Sequence, residues 1–320
     1  VTNKFTIASS GTFALLLSAG AAQASCGSAF CVLNTNWSTQ GVASEPGAFR
    51  LDERFEFVDQ KHLQSGTKRI SQADDTADTT ELRTINRNLL TTLDYTVSKN
   101  WAVSASAPVV SRSHSHIDDP TGAATFEKWD FTKIGDTRVL GMYRFENEKN
   151  PVASQGLIFG VKLPTGQYRV SNADGAVAER ALQPGTGSTD LVLGGYYSAP
   201  GMHLDSSWFV QALYQQAVST KEEYKPGNQL QLNVGYRYPL GHDWQALLQV
   251  NSMIKGRDSG ANAEPDLSGS KSVFLSPGLI YSLTHDLQIY SFVQLPIYRN
   301  YNGTQLSVDW AFVAGATVRF

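Results

Sequence analysis

The sequence predicts an all-β fold: a transmembrane, antiparallel up-and-down β-barrel of about twelve strands behind an N-terminal signal peptide. Three observations predict it. Alternation of apolar and polar residues with period two recurs from residue 48 onward, and no window there sustains the i, i+3, i+4, i+7 spacing of an amphipathic helix. The connections between these segments alternate short and long. Aromatic residues collect at the segment ends beside the short connections.

The N-terminus supplies the address. Lys4 gives a weak positive region, residues 5–22 are small and apolar around Phe13, Leu15, Leu16 and Leu17, and Ala22-Gln23-Ala24 fits a cleavage site. Residues 1–24 are therefore expected to be a signal peptide, with Val1 read as an alternative start codon. Residues 25–47 are expected to form a periplasmic segment, and 48–320 the barrel. A membrane anchor fits less well because the strongly apolar part is short. A lipoprotein would need Leu three positions before Cys26. The two cysteines, Cys26 and Cys31, are expected to pair in an exported chain. Their C-x4-C spacing suits neither zinc nor C-x-x-C redox chemistry.

Along the barrel, Phe49, Leu51, Phe55 and Phe57 alternate with Arg50, Asp52, Arg54 and Glu56. Leu157, Phe159, Val161 and Leu163 oppose Ile158, Gly160 and Lys162. Leu230, Leu232, Val234, Tyr236 and Tyr238 alternate with Gln229, Gln231, Asn233, Gly235 and Arg237. Leu287, Ile289, Val293, Leu295 and Ile297 alternate with Gln288, Tyr290, Phe292 and Gln294. In the last segment Leu306, Val308, Trp310, Phe312, Ala314, Ala316, Val318 and Phe320 share one face. Gln305, Ser307, Asp309, Ala311, Val313, Gly315, Thr317 and Arg319 share the other.

Short connections are read at 98–100, 146–151, 198–206, 239–243 and 284–286. Long polar ones are read at 61–83, 113–133, 169–187, 219–228, 255–271 and 299–304. Five short turns and six long loops give twelve strands with both ends in the periplasm. Tyr95, Phe145, Tyr197, Tyr238, Tyr281 and Phe320 end strands at short turns, and Trp101, Trp208 and Trp244 begin strands leaving them. The aromatic final residue, Phe320, resembles the terminal-strand signal that the barrel-assembly machinery reads in bacterial outer-membrane proteins.

Bulk composition agrees without deciding. A net charge of -3 leaves no basic excess for nucleic acid. A hydrophobic fraction of 41% and a mean hydropathy of -0.24 look like those of a water-soluble protein. Barrel strands hide from hydropathy because lipid-facing and lumen-facing residues alternate.

The phase of the strands points Arg50, Asp52, Arg54, Glu56, Asp94, Arg138, Arg144, Lys162, Arg237, Asp309 and Arg319 inward, since Arg or Lys on the lipid face costs about 2–4 kcal/mol near the midplane. Two readings compete: these charges pair across and fill the barrel, or they line a narrow, selective path. Seven are basic and four acidic, which points to a mild anion preference.

Gly135-Asp136-Thr137 entering a strand that ends Tyr143-Arg144-Phe145, then Lys162-Leu163-Pro164-Thr165-Gly166, then Gly185-Thr186-Gly187-Ser188-Thr189-Asp190 before Leu191-Val192-Leu193-Gly194 resemble the outer-membrane proteins of the MetA pathway of phenol degradation. The resemblance implies a barrel often described as a transporter, with aromatic or hydrophobic compounds as its solutes. Pro164-Thr165-Gly166 reads either as a plain strand-to-loop corner or as a bend folding the next loop into the mouth. The run 185–190 lacks the Lys and helix of a phosphate-binding loop.

Other functions remain in view. A phospholipase-type enzyme needs a Ser–His pair within reach. The six histidines, His62, His114, His116, His203, His242 and His285, all fall in predicted loops or turns or at strand ends. His114, His116, Asp118 and Asp119 read better as a solvated loop than as a metal site. An accessory barrel could use residues 25–46 with Trp37 as a plug, or to dock a periplasmic partner such as a cytochrome. Ile117, Phe126, Trp129 and Phe131 are candidates for an apolar lining. The expectation is a monomeric outer-membrane channel for small solutes, with no cofactor, no metal and no catalytic residue. Its other partners are outer-membrane lipid and lipopolysaccharide.

Overall fold

The computed structural model describes residues 45–320 except 73–74, 76–78, 120–122, 147–151 and 204. The expected signal peptide, the Cys26–Cys31 disulfide and nearly all of the 25–47 segment lie outside the described residues.

The strand segments are β1 (Phe49–Gly66), β2 (Lys68–Arg69), β3 (Thr79–Thr96), β4 (Trp101–Asp118), β5 (Thr125–Ile134), β6 (Thr137–Phe145), β7 (Ser154–Leu163), β8 (Thr189–Pro200), β9 (Ser207–Ser219), β10 (Gln229–Gly241), β11 (Trp244–Lys255), β12 (Ser270–Ser282) and β13 (Leu287–Arg319). Eleven form a closed antiparallel circuit, sealed where β13 returns to β1 with Arg50 opposite Arg319. β2 and β5 lie outside that circuit. The long β13 makes two passes. Its first part pairs with β12 and its second with β1. The chain reverses near Asn302-Gly303, where Gly303 takes a positive φ of 67°, and the Arg319 N–H donates to the Asp286 carbonyl at 2.9 Å. The wall is thus crossed twelve times.

Outward side chains form an apolar belt. Leu89, Leu193, Leu232, Leu248, Leu279 and Leu295 are all exposed, Leu193 by 57%. Water would penalise such a belt at about 25 cal/mol per Å² of apolar surface, whereas lipid does not. At the short-turn end an aromatic girdle closes it. Phe49 stacks on Tyr95 and Phe320, Trp101 meets Tyr143 at 4.9 Å, Tyr197 meets Trp208 at 5.3 Å and Trp244 meets Tyr281 at 4.6 Å. A closed sheet with this belt is an outer-membrane barrel.

Inside, one flank of the wall is apolar. Phe209, Leu247, Ile280, Tyr290, Phe292 and Val313 form one buried cluster, and Val58, Met253, Phe274, Val308 and Ala311 form another. Phe292 lies flat on the wall because its neighbour Gly278 has no side chain: a Cβ there would sit 2.0 Å from the ring.

Two expectations change. The stretch 113–133, read as a loop, is a hairpin extension in which β4 runs to Asp118 and pairs with β5. Above the lipid the outward residues need not be apolar, so Ser111, Ser113 and Ser115 alternate with Arg112, His114 and His116 and no apolar period appears. His62, His114 and His116 therefore stand within strands. The final segment also changes phase: Leu306 and Val308 are fully buried, while Trp310 and Phe320 face outward. A bulge at Asp309, where Asp59 opposes Trp310 and Gln60 opposes Val308, causes the switch.

Candidate solute path

Each strand sends alternate side chains into the lumen. On β1 these are Arg50, Asp52, Arg54 and Glu56, all buried. Arg50 faces Asp94 on β3, and its Nε donates to Asp94 Oδ2 at 2.8 Å. Asp52 accepts from Tyr290 Oη at 2.9 Å and from Thr317 Oγ1 at 2.7 Å. Arg54 Nε lies 3.0 Å from Glu56 Oε1. Arg138 Nη2 donates to Gln215 Oε1 at 3.0 Å, and Gln215 Nε2 donates to Asp190 Oδ2 at 2.6 Å. Arg144 lines the lumen at the short-turn end. Arg319 stands opposite Arg50, and Arg237 opposite Ser207 and Leu247, on the inward phase.

Asp309 is a correction to the lumen-lining set. Its bulge turns the carboxylate to His62, with Nδ1 to Oδ1 at 2.6 Å, and to the largely exposed Arg69 at 3.3 Å. It borders none of the cavities described below.

Lys162 anchors the loop that narrows the path. Its Nζ donates to Asp136 Oδ2 at 2.7 Å, Thr186 Oγ1 at 2.5 Å and the Ser188 carbonyl at 2.8 Å, with Asp190 3.5 Å away. Asp136 in turn accepts the Gly166 and Thr186 N–H groups at 3.0 and 2.9 Å. The backbones of Gly135, Gly166 and Gly185 touch: a Cβ on Gly166 would meet Gly135 at 2.7 Å and Gly185 at 2.8 Å. Only glycine permits this approach. It breaks the β5–β6 pass at 135–136 and turns residues 164–188 inward. This is the fold-in, rather than the plain corner, at Pro164-Thr165-Gly166.

The folded loop is packed as well as tied. Leu182 and Ala178 bury against Trp129, whose Nε1 donates to the Ala176 carbonyl at 2.9 Å. Arg112 donates to the Leu182 carbonyl and, at 2.6 Å, to Asn86 Oδ1. Trp129 and Phe131 thus support the loop, while Phe126 is exposed. Beside them His114 bonds Thr84 and His116, and His116 faces Glu127 at 3.5 Å. Arg112, His114 and His116 are lumenal residues that the sequence reading missed.

Three cavities follow one another. A lower one of about 180 Å³ is bounded by Arg50, Asp94, Arg138 and Arg144 on its charged side, and by Leu140, Met142 and Leu213 among its apolar ones. An upper one of about 260 Å³ lies under the loop, between Arg112, Lys162 and Thr186 and the opposite wall at Met253 and Lys255. An outer one of about 350 Å³ lies beyond Arg180. Arg180 is clamped by the Tyr168 and Thr186 carbonyls at 2.7 and 2.8 Å, and its guanidinium lies 4.8 and 5.0 Å from the Tyr168 and Tyr224 rings. In the outer cavity Asp258 accepts from Tyr224 Oη at 2.9 Å and lies 3.0 Å from Lys255 Nζ. Burial, reinforced by the Asp258 charge, pushes the Glu264 carboxyl up to about 8. Burial also raises the Tyr224 phenol well above its usual range, again reinforced by Asp258.

A closed barrel with a lipid-facing belt and an inward-folded loop over a polar lumen defines the class, an outer-membrane β-barrel. The chain belongs to the family described as "Putative MetA-pathway of phenol degradation", whose pattern it matches over residues 83–307. Among solved structures it resembles an outer membrane channel from Pseudomonas putida F1, with a TM-score of 0.64, 10% identity, and coverage of 90% of this chain and 100% of that one. At that identity the likeness speaks for the fold. The Ralstonia pickettii toluene transporter TbuX overlays more loosely, with a TM-score of 0.43, 9% identity, and 88% and 91% coverage. No curated protein matches by sequence.

Proposed function

We propose that the chain is a narrow outer-membrane channel that passes small, partly apolar solutes, aromatic compounds among them. One observation carries this reading: the three cavities lie in series, each parted from the next only by side chains that border both. The lower and upper cavities share Arg54, Leu90, Ser106, Arg138 and Gln231, and the upper and outer cavities share Arg180, Ala181 and Tyr224. A barrel filled by its own charges has no reason to keep such a row of cavities between the turns and the loops. The aromatic part of the reading comes from the family's description. We read the chain as a conduit rather than an enzyme because the P. putida barrel it overlays is a channel. Phe320, whose N–H and carbonyl both bond to Phe49, is the residue we assign to the assembly machinery.

The test is conductance of the purified full chain in planar bilayers, alongside a deletion of residues 25–46. Discrete conductance steps are expected from both proteins. No channel in either form overturns the reading, and release of fatty acid from phospholipid would overturn the non-enzymatic part.

A further inference from the structure

We propose that the waist between the lower and upper cavities recognises an organic monocarboxylate, an anion carrying an apolar body. The inference rests on the channel reading only in taking the lumen as reachable by solutes.

Two of the five side chains that border both cavities are arginines, Arg54 and Arg138. Arg54 has a carboxylate partner in Glu56. Arg138 forms no ion pair among the described residues, and its one hydrogen bond goes to the neutral Gln215. A guanidinium carries five N–H donors in a planar fork that matches a carboxylate. Pinning Gln215 uses one of them. The Ser106 hydroxyl and the Gln231 amide border the same waist and can add donors.

Below Arg138 the lining turns apolar. Leu140 and Met142 follow it at alternate positions on β6, on the same face, with Leu90, Ile158, Tyr196 and Leu213 around them. An acid with a ring or short chain can therefore place its body among these side chains and its carboxylate on Arg138. The field favours it too. Basic side chains outnumber acidic ones five to two around the lower cavity and six to three around the upper, in a chain whose net charge is -3. A neutral isostere gains only the apolar contact, and an amine is repelled.

Benzoate and benzamide are matched probes, alike in shape and different in charge. Each is titrated calorimetrically into the purified full chain in neutral detergent micelles. The wild type is expected to bind benzoate at least ten-fold more tightly than benzamide. Arg138→Gln is expected to lose that preference and Arg138→Lys to retain part of it, with folding of each variant checked by heat-modifiable gel migration. Equal affinity for the two probes in the wild type overturns the proposal, whatever the variants do. So does unchanged benzoate preference in folded Arg138→Gln. Failure of the barrel to conduct ions would sink the channel reading alone, because the binding comparison is read without transport.

Discussion

Lys162→Met is the sharpest test of how the path is narrowed. The substitution keeps the length of the side chain and removes its charge. The Lys162 ammonium serves two carboxylates whose side chains are 7% and 3% exposed, Asp136 and Asp190. Removing one partner of a buried ion pair costs about 3–5 kcal/mol. The lower end applies here, because both carboxylates keep other donors. Asp136 retains the Gly166 N–H, the Thr186 N–H and the Thr186 hydroxyl, and Asp190 retains Ser188 and Gln215.

The cost falls on the loop rather than the wall, since the β6–β7 and β7–β8 ladders are backbone and stay intact. A loss of about 3 kcal/mol raises the open fraction of residues 164–188 roughly 150-fold. Two assays read it in the folded barrel: tryptic cleavage after Arg180, which is half-buried in the closed loop, and mean conductance. Both should rise, and Asp136→Asn in the same chain should recover part of the loss by removing one orphaned charge. Cleavage within two-fold of wild type together with unchanged conductance would refute the reasoning.

The remaining expectations are briefer. Arg180→Ala should join the upper and outer cavities and raise conductance in planar bilayers, since Arg180 borders both and is held by two carbonyls and two rings. Leu232→Arg on the lipid face should cost about 2–4 kcal/mol in a urea titration in lipid vesicles, and an unchanged midpoint would count against the assignment of that face. Glu264 titrates at about 8 when folded and near 4.5 when free, so the folded loop holds the extra proton between those values. Its contribution is complete below about pH 4.5 and lost as pH rises through 8. The protection factors of residues 256–269, corrected for the base-catalysed rise in intrinsic exchange, should therefore be lower at about pH 9 than at about pH 6, and Glu264→Gln should flatten that difference.

How far the sequence could be read depended on what solvent each stretch meets. Where a strand faces lipid, one side must be apolar, so Leu230, Leu232 and Val234 against Gln231 and Asn233 announced a strand and its phase. Where β4 rises above lipid, serines alternate with Arg112, His114 and His116, polar against polar, and the same pattern looked like a loop. Asp309 defeated the phase count because a bulge inserts one residue, and nothing in the local sequence marks it. The loop's anchors were half legible. Pro164, Gly166 and Gly185 signalled unusual backbone, but the bond from Arg112 to the Leu182 carbonyl joins residues 70 apart, and spacing rules do not reach that far.

The inward loop is a geometric necessity as much as a functional device. Twelve strands about 4.8 Å apart and tilted by about 40° close at a radius of about 12 Å. Wall side chains reaching about 6 Å inward cannot meet across such a ring, as they do in eight-stranded barrels. Left to itself the lumen would be a wide aqueous hole. The apolar flank of Phe209, Phe292 and their neighbours fills one side at the short-turn end, and residues 164–188 fill the centre at the other. The bore is therefore set by one loop and one aromatic cluster, not by strand number. Changes at Lys162, Arg180 or Gly166 should alter what passes without altering the barrel, whereas changes on the lipid face should alter insertion without altering what passes.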